Sequence, residues 1–201
     1  LTDRLDWIFG GAGESLASRY DEWALTYDQS HDGWGWQGPA LAAAALVGEL
    51  HDDFVVMDAG CGTAAATKAL RSQGFAGRVV GLDFSAGMLS HAKQSQACQL
   101  LVRASLLDIP MADGCVDAVI SSGVFTHGHV GAEAFSELVR VCRREASVVV
   151  TMRVDIMDQL LPEAQRLEAE GKWTLVACSD PIRLHPERDD SVQSILRWVV
   201  S

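Results

Sequence analysis

FVVMDAGCGTAAA, running from Phe54 to Ala66, is the stretch from which the fold of this chain is read. Phe54-Val55-Val56-Met57 is a short apolar run of the kind that forms a strand buried on both faces. It ends in Asp58, two glycines follow at Gly60 and Gly62, and the alanines then lead into Thr67-Lys68-Ala69-Leu70, a good helix-forming series. Strand, glycine turn and helix open a βα unit, and in open α/β sheets ligands bind at the carboxyl ends of such strands. Glycine suits that turn because it accepts positive φ and lets backbone approach a ligand closely. A second strand, Arg78 to Leu82, ends in Asp83. A carboxylate at that tip can accept the hydroxyls of a ribose, so the pair of strands predicts a site for a nucleoside-containing cofactor.

Two cofactor classes compete for it. Gly60-x-Gly62-x-x-Ala65 satisfies the looser dinucleotide fingerprint. Asp58 stands against that reading, because a pyrophosphate wants bare N–H groups and a helix N-terminus rather than a neighbouring anion. S-adenosylmethionine carries an ammonium and a sulfonium, and a local carboxylate favours both. Dehydrogenase chemistry is further disfavoured by the lack of a second nucleotide-binding half. A glycine turn between strand and helix is also common with no ligand at all.

DAGCGTA, from Asp58 to Ala64, resembles the first motif of class I S-adenosylmethionine-dependent methyltransferases, D-x-G-x-G-x-G, with Ala64 in place of the third glycine. LDFSAGML, from Leu82 to Leu89, resembles the family's second motif, D-x-S-x-x-M-L. YDEWALTYD (Tyr20 to Asp28) and the tail EAEGKWTLVACSDPIRLHP add a narrower likeness to the methyltransferase-like protein 27 group. The resemblance implies a Rossmann-like α/β fold: a seven-stranded sheet with helices on both faces and an N-terminal helical cap. It implies S-adenosyl-L-methionine held by Asp58, Gly60, Cys61 and Gly62 in the loop. Asp83, Phe84 and Met88 would follow at the second motif, with Ser121 at the end of the fourth strand. Where the family presents an acidic residue to the adenine amino group this chain has Ser105, and the backbone N–H beside it belongs to Leu106. Asp108 could reach back in its place. Relatives also lay a tyrosine-bearing leader helix across the cofactor mouth, which points to Tyr27.

His127 and His129 flank Gly128 in SSGVFTHGHV, next to where the transferred methyl would lie, and are the candidate general bases. A lone histidine is more often structural, and no metal-ligand cluster is visible. The reaction expected is in-line attack by an O, N, S or carbon nucleophile of a small molecule. The rival is a binding module of the same fold that holds the nucleoside without turning it over.

At 201 residues the chain can bury about 70% of its unfolded surface as one domain. Sixteen Lys and Arg against 27 Asp and Glu leave a net charge of −11, which argues against nucleic acid as substrate. Five scattered cysteines without a C-x-x-C pair indicate neither zinc nor disulfides and fit a reducing, cytoplasmic setting. No apolar run is long enough to cross a membrane.

Residues 1–38 read as the cap and loop, and 39–201 as the methyltransferase domain. Within the cap, 5–29 look helical, with Leu5, Ile8 and Phe9 in a first turn and a break at Gly10 to Gly13. Tyr20, Trp23 and Tyr27 form a stripe that reads either as core packing or as an aromatic lid. Trp34 and Trp36 sit in a loop over 30–38. Helices are expected over 40–51, 63–73, 85–91, 131–144 and from about Pro162 to Gly171. The remaining strands are expected over 99–103, 115–120, 146–152, 173–178 and 194–200.

If Asp83 holds a ribose, Asp83→Ala should lose charged hydrogen bonds worth about 1.5–3 kcal/mol each. Calorimetry should then show S-adenosylhomocysteine binding weakened by an order of magnitude or more, and no NAD binding by the parent chain. Unchanged affinity, or NAD bound as well, would overturn the cofactor assignment.

Overall fold

A computed structural model describes residues 15–187 and 192–201. The turn expected at Leu5, Ile8 and Phe9, and the glycine break after it, lie outside the described residues. The strands in chain order are β1 (Val55–Ala59), β2 (Arg78–Asp83), β3 (Leu100–Arg103), β4 (Val116–Phe125), β5 (Cys142–Arg153), β6 (Trp173–Cys178), β7 (Ile182–Arg183) and β8 (Val192–Val200). They form one sheet in the order β3-β2-β1-β4-β5-β8-β6, with the two-residue β7 beside β8. β1 to β5 run parallel, and β8 is antiparallel to both of its long neighbours. The two last long strands, β6 and β8, therefore form the antiparallel pair at the sheet edge that the class I methyltransferase resemblance requires. β7 is an addition, in a stretch whose proline and charges read as a plain connection.

The helices are α1 (Leu16–Trp23), α2 (Tyr27–Gly33), α3 (Gly38–Val47), α4 (Ala65–Ser72), α5 (Ala86–Ser95), α6 (Ala134–Val141) and α7 (Met157–Ala169). β1 is central and parallel-paired on both edges, which is why its apolar run is unbroken: Val56, Met57 and Ala59 are fully buried. On one face the alanines of α3 let Ala42, Ala43 and Leu46 approach Val56, Val79, Ile120 and Val149. On the other face Phe135, Leu138 and Val141 of α6 meet Leu160, Ala164 and Leu167 of α7. Trp173 and Trp198 stack there at 4.7 Å, and the Trp173 indole N–H donates to the Ala164 carbonyl at 2.9 Å.

Several boundaries depart from the sequence reading: α3 ends at Val47 rather than at 51, α5 runs on to Ser95, and β4 runs on to Phe125 because it keeps its pairing with β5 as far as Met152. The leader is two helices rather than one, joined by a 3-10 turn over Ala24–Thr26, and α2 runs on to Gly33 into the expected loop. α6 stops at Val141 because Cys142 is extended and pairs with Val116; Glu145, at φ 67°, then sits within a register shift of β5. α7 starts at Met157 and carries Pro162 inside it. The proline removes the helical donor for the Asp158 carbonyl, but both residues are exposed, so solvent can take its place.

The leader docks on the sheet's helices through its two aspartates. Asp21 Oδ1 accepts from the Ser85 hydroxyl at 2.5 Å and from the Gly87 N–H at 2.8 Å, so it shares the capping of α5 with Ser85, whose Oγ accepts from the Met88 N–H at 3.1 Å. Asp28 accepts from the Thr63 hydroxyl at 2.5 Å and pairs with Lys68 at 3.3 Å, beside the glycine loop.

A glycine-to-alanine change within a helix ordinarily stabilises by about 0.5–1 kcal/mol. At Gly87 the sign should reverse, because a Cβ there would stand 2.8 Å from both the Cα and the carbonyl oxygen of Asp21. Urea denaturation of Gly87→Ala is expected to show a loss of about 1–3 kcal/mol, in the range of overpacking. A gain would mean that α1 does not sit on α5 as described.

Candidate active site

The strand order reverses between β1 and β4, and the site lies at the carboxyl ends of the strands around that point. The glycine loop is held by the end of β2. The N–H groups of Gly60 and Cys61 both donate to the Leu82 carbonyl, at 2.8 and 2.9 Å, and the Gly62 N–H donates to Asp83 Oδ2 at 2.9 Å. Gly60 and Gly62 lie at φ 71° and 52°, and Ala64 follows at 66°, a left-handed alanine where the family motif has glycine. A Cβ on Gly60 would run into the Val124 side chain, whereas one on Gly62 would project into open space at the cavity. Because these three N–H groups are spent inside the protein, they cannot cradle a pyrophosphate.

Two buried carboxylates govern the electrostatics. Asp58 Oδ2 accepts from the Thr67 N–H at 3.1 Å and the Thr67 hydroxyl at 2.6 Å, which ties the end of β1 to α4. Burial pushes its carboxyl up to about 6 despite these bonds. Asp83 is raised as well, chiefly by burial, although it accepts from the N–H groups of Gly62 and Ser85. A cation brought between them would relieve both.

A cavity of about 330 Å³ opens in front of Asp83. Of the residues expected to hold the cofactor, Tyr27, Gly60, Gly62, Asp83 and Phe84 line it, as do Met88, Ser105 and Leu106. Asp58 and Cys61 line an adjoining recess instead. Ser121 is turned away: its hydroxyl donates to the Ala59 carbonyl at 2.8 Å, and Ser122 lines the cavity in its place. Successive residues of a strand face opposite ways, so a one-residue error moves the wrong side chain into the site. The Ser105 hydroxyl accepts from the Leu107 N–H at 3.1 Å and keeps its own proton to donate, while Asp108 does not reach the cavity.

The aromatic stripe is divided between packing and the cavity. Trp23 is buried against Trp34, while Tyr20 and Tyr27 face the cavity. The Tyr20 ring meets Phe84 edge-on at 5.6 Å and His129 at 5.4 Å. Leu16, at helical spacing with Tyr20, and Val130, at the end of SSGVFTHGHV, also line the cavity, whereas neither the sequence pattern nor the resemblance pointed to Ala17 or Leu107.

The two histidines part company. His127 points outward and pairs with Asp155 at 3.0 Å, with half of its side chain exposed. His129 lines the cavity; its Nδ1–H donates to the His127 carbonyl at 2.9 Å, which leaves Nε2 to accept from the Tyr20 hydroxyl. Burial pushes this imidazole down to about 4, so it is a neutral acceptor near pH 7.

S-adenosylmethionine fits these residues. The open space at Gly62 admits a ligand against the backbone, Asp83 has lone pairs left for ribose hydroxyls, and the buried carboxylates suit a cationic ligand. Among the described residues no cluster of His, Cys, Asp and Glu could hold a metal ion, and no helix is long and apolar enough to cross a membrane.

Comparison with known proteins agrees with this geometry. A family model described as a methyltransferase domain matches residues 57–150. Methyltransferase-like protein 27 of Homo sapiens is 34% identical over 168 residues, covering 77% of this chain and 66% of that protein. Malonyl-(acyl-carrier protein) O-methyltransferase of Yersinia pestis is 31% identical over 159 residues, covering 78% of this chain and 57% of the relative. The chain thus spans less than two thirds of the length of these relatives. A Haloferax volcanii methyltransferase, solved with the Trm112 methyltransferase activator, shares the fold with a TM-score of 0.66 at 19% identity, covering 90% of this chain and 96% of that one.

His129 should leave a pH signature. An unfolded histidine takes up its proton near pH 6.5 and the folded one only at about 4, so unfolding binds a proton between those values. The stability due to neutral His129 is present above that window and drains away as pH falls through it. Asp58 works in the opposite sense, since its folded pKa is raised, so a comparison of variants is needed. His129→Gln should lose less stability than the parent between about pH 6.5 and 4 in denaturant titrations. Parallel curves would place the imidazole in solvent.

Proposed function

Because this chain belongs to the class I S-adenosylmethionine-dependent methyltransferases, we propose that it transfers the cofactor's methyl group to a small-molecule acceptor. The observation that carries this reading is the Tyr20–His129 pair inside the cavity that Asp83 also lines. S-adenosylmethionine supplies an electrophilic methyl when bound. The chain's own residues do the rest. Val130 and the Tyr20 ring, beside His129, bound the space in which the acceptor can align. Alignment and desolvation of this kind supply several kcal/mol without any covalent intermediate. An acceptor O–H or N–H that meets the Tyr20 oxygen can pass its proton there while the Tyr20 proton moves to His129 Nε2. His127, paired with Asp155 outside the cavity, has no part in this.

The net charge of −11 disfavours a nucleic acid as acceptor. The Yersinia relative is named for malonyl attached to an acyl-carrier protein; a carboxylate of that kind carries no proton near pH 7, so the Tyr20–His129 relay favours an O–H or N–H acceptor instead. The five thiols, all free, go with a reducing cytoplasmic setting.

The test is to incubate the protein and S-adenosylmethionine with the low-molecular-weight fraction of a cell extract and, separately, with the macromolecular fraction. S-adenosylhomocysteine is expected to accumulate with the first. His129→Gln should slow its release by about 10²-fold, the low end of general-base effects, with cofactor affinity unchanged. Binding without consumption in either fraction would make the chain a binding module, and no binding would remove the cofactor reading.

A further inference from the structure

A neutral histidine that accepts a proton at Nε2 must carry its own at Nδ1, and the hydrogen bond made at one nitrogen sets the state of the other. For His129 the partner at Nδ1 is the carbonyl of His127, at 2.9 Å, so the backbone two residues earlier governs the ring. That backbone is a tight turn. The His129 N–H donates to the Thr126 carbonyl at 3.3 Å, and Gly128, third in the turn, lies at φ 71°, a conformation that favours glycine there. Gly128 thus lets the His127 carbonyl turn back upon the ring that follows it. His127 itself, second in the turn, is anchored from outside.

The anchor is Asp155, in the 3-10 turn Val154–Ile156 that follows β5. β4 stays paired with β5 as far as Phe125 on Met152, so the chain beyond Phe125 emerges beside the residues beyond Met152. There the His127 Nε2–H donates to Asp155 Oδ2 at 3.0 Å. The Arg153 guanidinium forks onto the same carboxylate, Nε to Oδ1 at 3.0 Å and Nη2 to Oδ2 at 2.6 Å, which fixes its orientation. We propose that Asp155 is a positioning residue for His129: it holds the His127 side chain, and through it the peptide whose carbonyl keeps the proton on Nδ1 and the Nε2 lone pair toward Tyr20. This rests on the methyl-transfer reading and extends it to a carboxylate that does not line the cavity. The exposure of the pair sharpens the claim. With about half of each side chain in solvent, the ion pair adds little to global stability. What it fixes is the place of one turn, so its loss should be read at His129 rather than in an unfolding curve.

Long-range ¹H–¹⁵N spectra of protein labelled at its histidines report the tautomer directly, with His129 identified by the signals missing from His129→Gln. In the parent chain Nε2 should resonate as an unprotonated nitrogen and Nδ1 as a protonated one. In Asp155→Ala the two shifts should move toward each other as the Nε2–H tautomer is admitted. S-adenosylhomocysteine release at saturating cofactor should slow by about fivefold, the upper end for a partly exposed pair. The KM for S-adenosylmethionine and the urea midpoint should stay at the parent's values. Asp155→Asn, which keeps an oxygen for His127, should restore most of the rate and the spectrum. His127→Ala cuts the same link from the other side and leaves the carbonyl in place; it should reproduce the Asp155→Ala spectrum, and it decides the spectral arm if Asp155→Ala fails to fold. His129 shifts identical to the parent's in both variants, or a parent already protonated at Nε2, would overturn the proposal. A urea midpoint that falls in step with the rate would overturn it too, making the pair a structural fastening. A parent chain with the expected tautomer that consumes no cofactor with either extract fraction would strike at the methyl-transfer reading instead, with the spectra still deciding what Asp155 does to His129.

Discussion

The carbonyl of Leu82 accepts two backbone N–H groups from the loop after β1, and the next residue, Asp83, takes a third. The site depends on this junction. It holds Gly60 and Gly62 in left-handed conformations, it brings the end of β2 against the end of β1, and it leaves the Asp83 carboxylate facing the cavity. It also settles which ligands the loop can serve, since N–H groups already bonded to protein cannot hold a phosphate. A loop of the same glycine spacing with those groups free would suit a dinucleotide. Here the loop is closed around protein acceptors, and what remains toward the cavity is acidic.

That acidity carries a cost, which the surrounding structure offsets. Asp58 and Asp83 are buried a short way apart, and each is hydrogen-bonded to backbone or to a threonine rather than to a basic side chain. Their raised pKa values record the strain of keeping two carboxylates out of water without a counter-ion. The leader places two more aspartates nearby, yet these are differently employed. Asp21 caps a helix and Asp28 pairs with Lys68, so each uses its charge to fasten α1 and α2 over the site. The four carboxylates thus divide into Asp83 on the cavity and Asp58 on the adjoining recess, and two that anchor the leader.

Much of this was legible in the residues. The apolar run ending in Asp58, the second run ending in Asp83 and the Ser85 cap are local features, and strand, turn and helix follow from neighbours in the chain. The sheet with its closing antiparallel pair followed from the family resemblance. Boundaries were the weaker part. Nothing local says that Cys142 leaves the helix to pair with Val116, or that Pro162 is tolerated because its side of α7 is exposed.

The sequence by itself determined the fold class and picked out the two carboxylates at the ends of β1 and β2, because both are written in contiguous residues with a fixed period. Only the tertiary structure decided the rest of the site. His127 and His129 are two residues apart, yet one pairs with Asp155 in solvent and the other meets Tyr20 from a helix more than a hundred residues earlier. Ser121 and Ser122 are identical side chains, and the alternation of β4 sends one to the Ala59 carbonyl and the other to the cavity. Trp36 lies over the backbone of Gly123 only because the loop before α3 comes to rest there. Those choices depend on contacts between distant segments, and no local pattern encodes which side of a strand or loop a distant helix will cover.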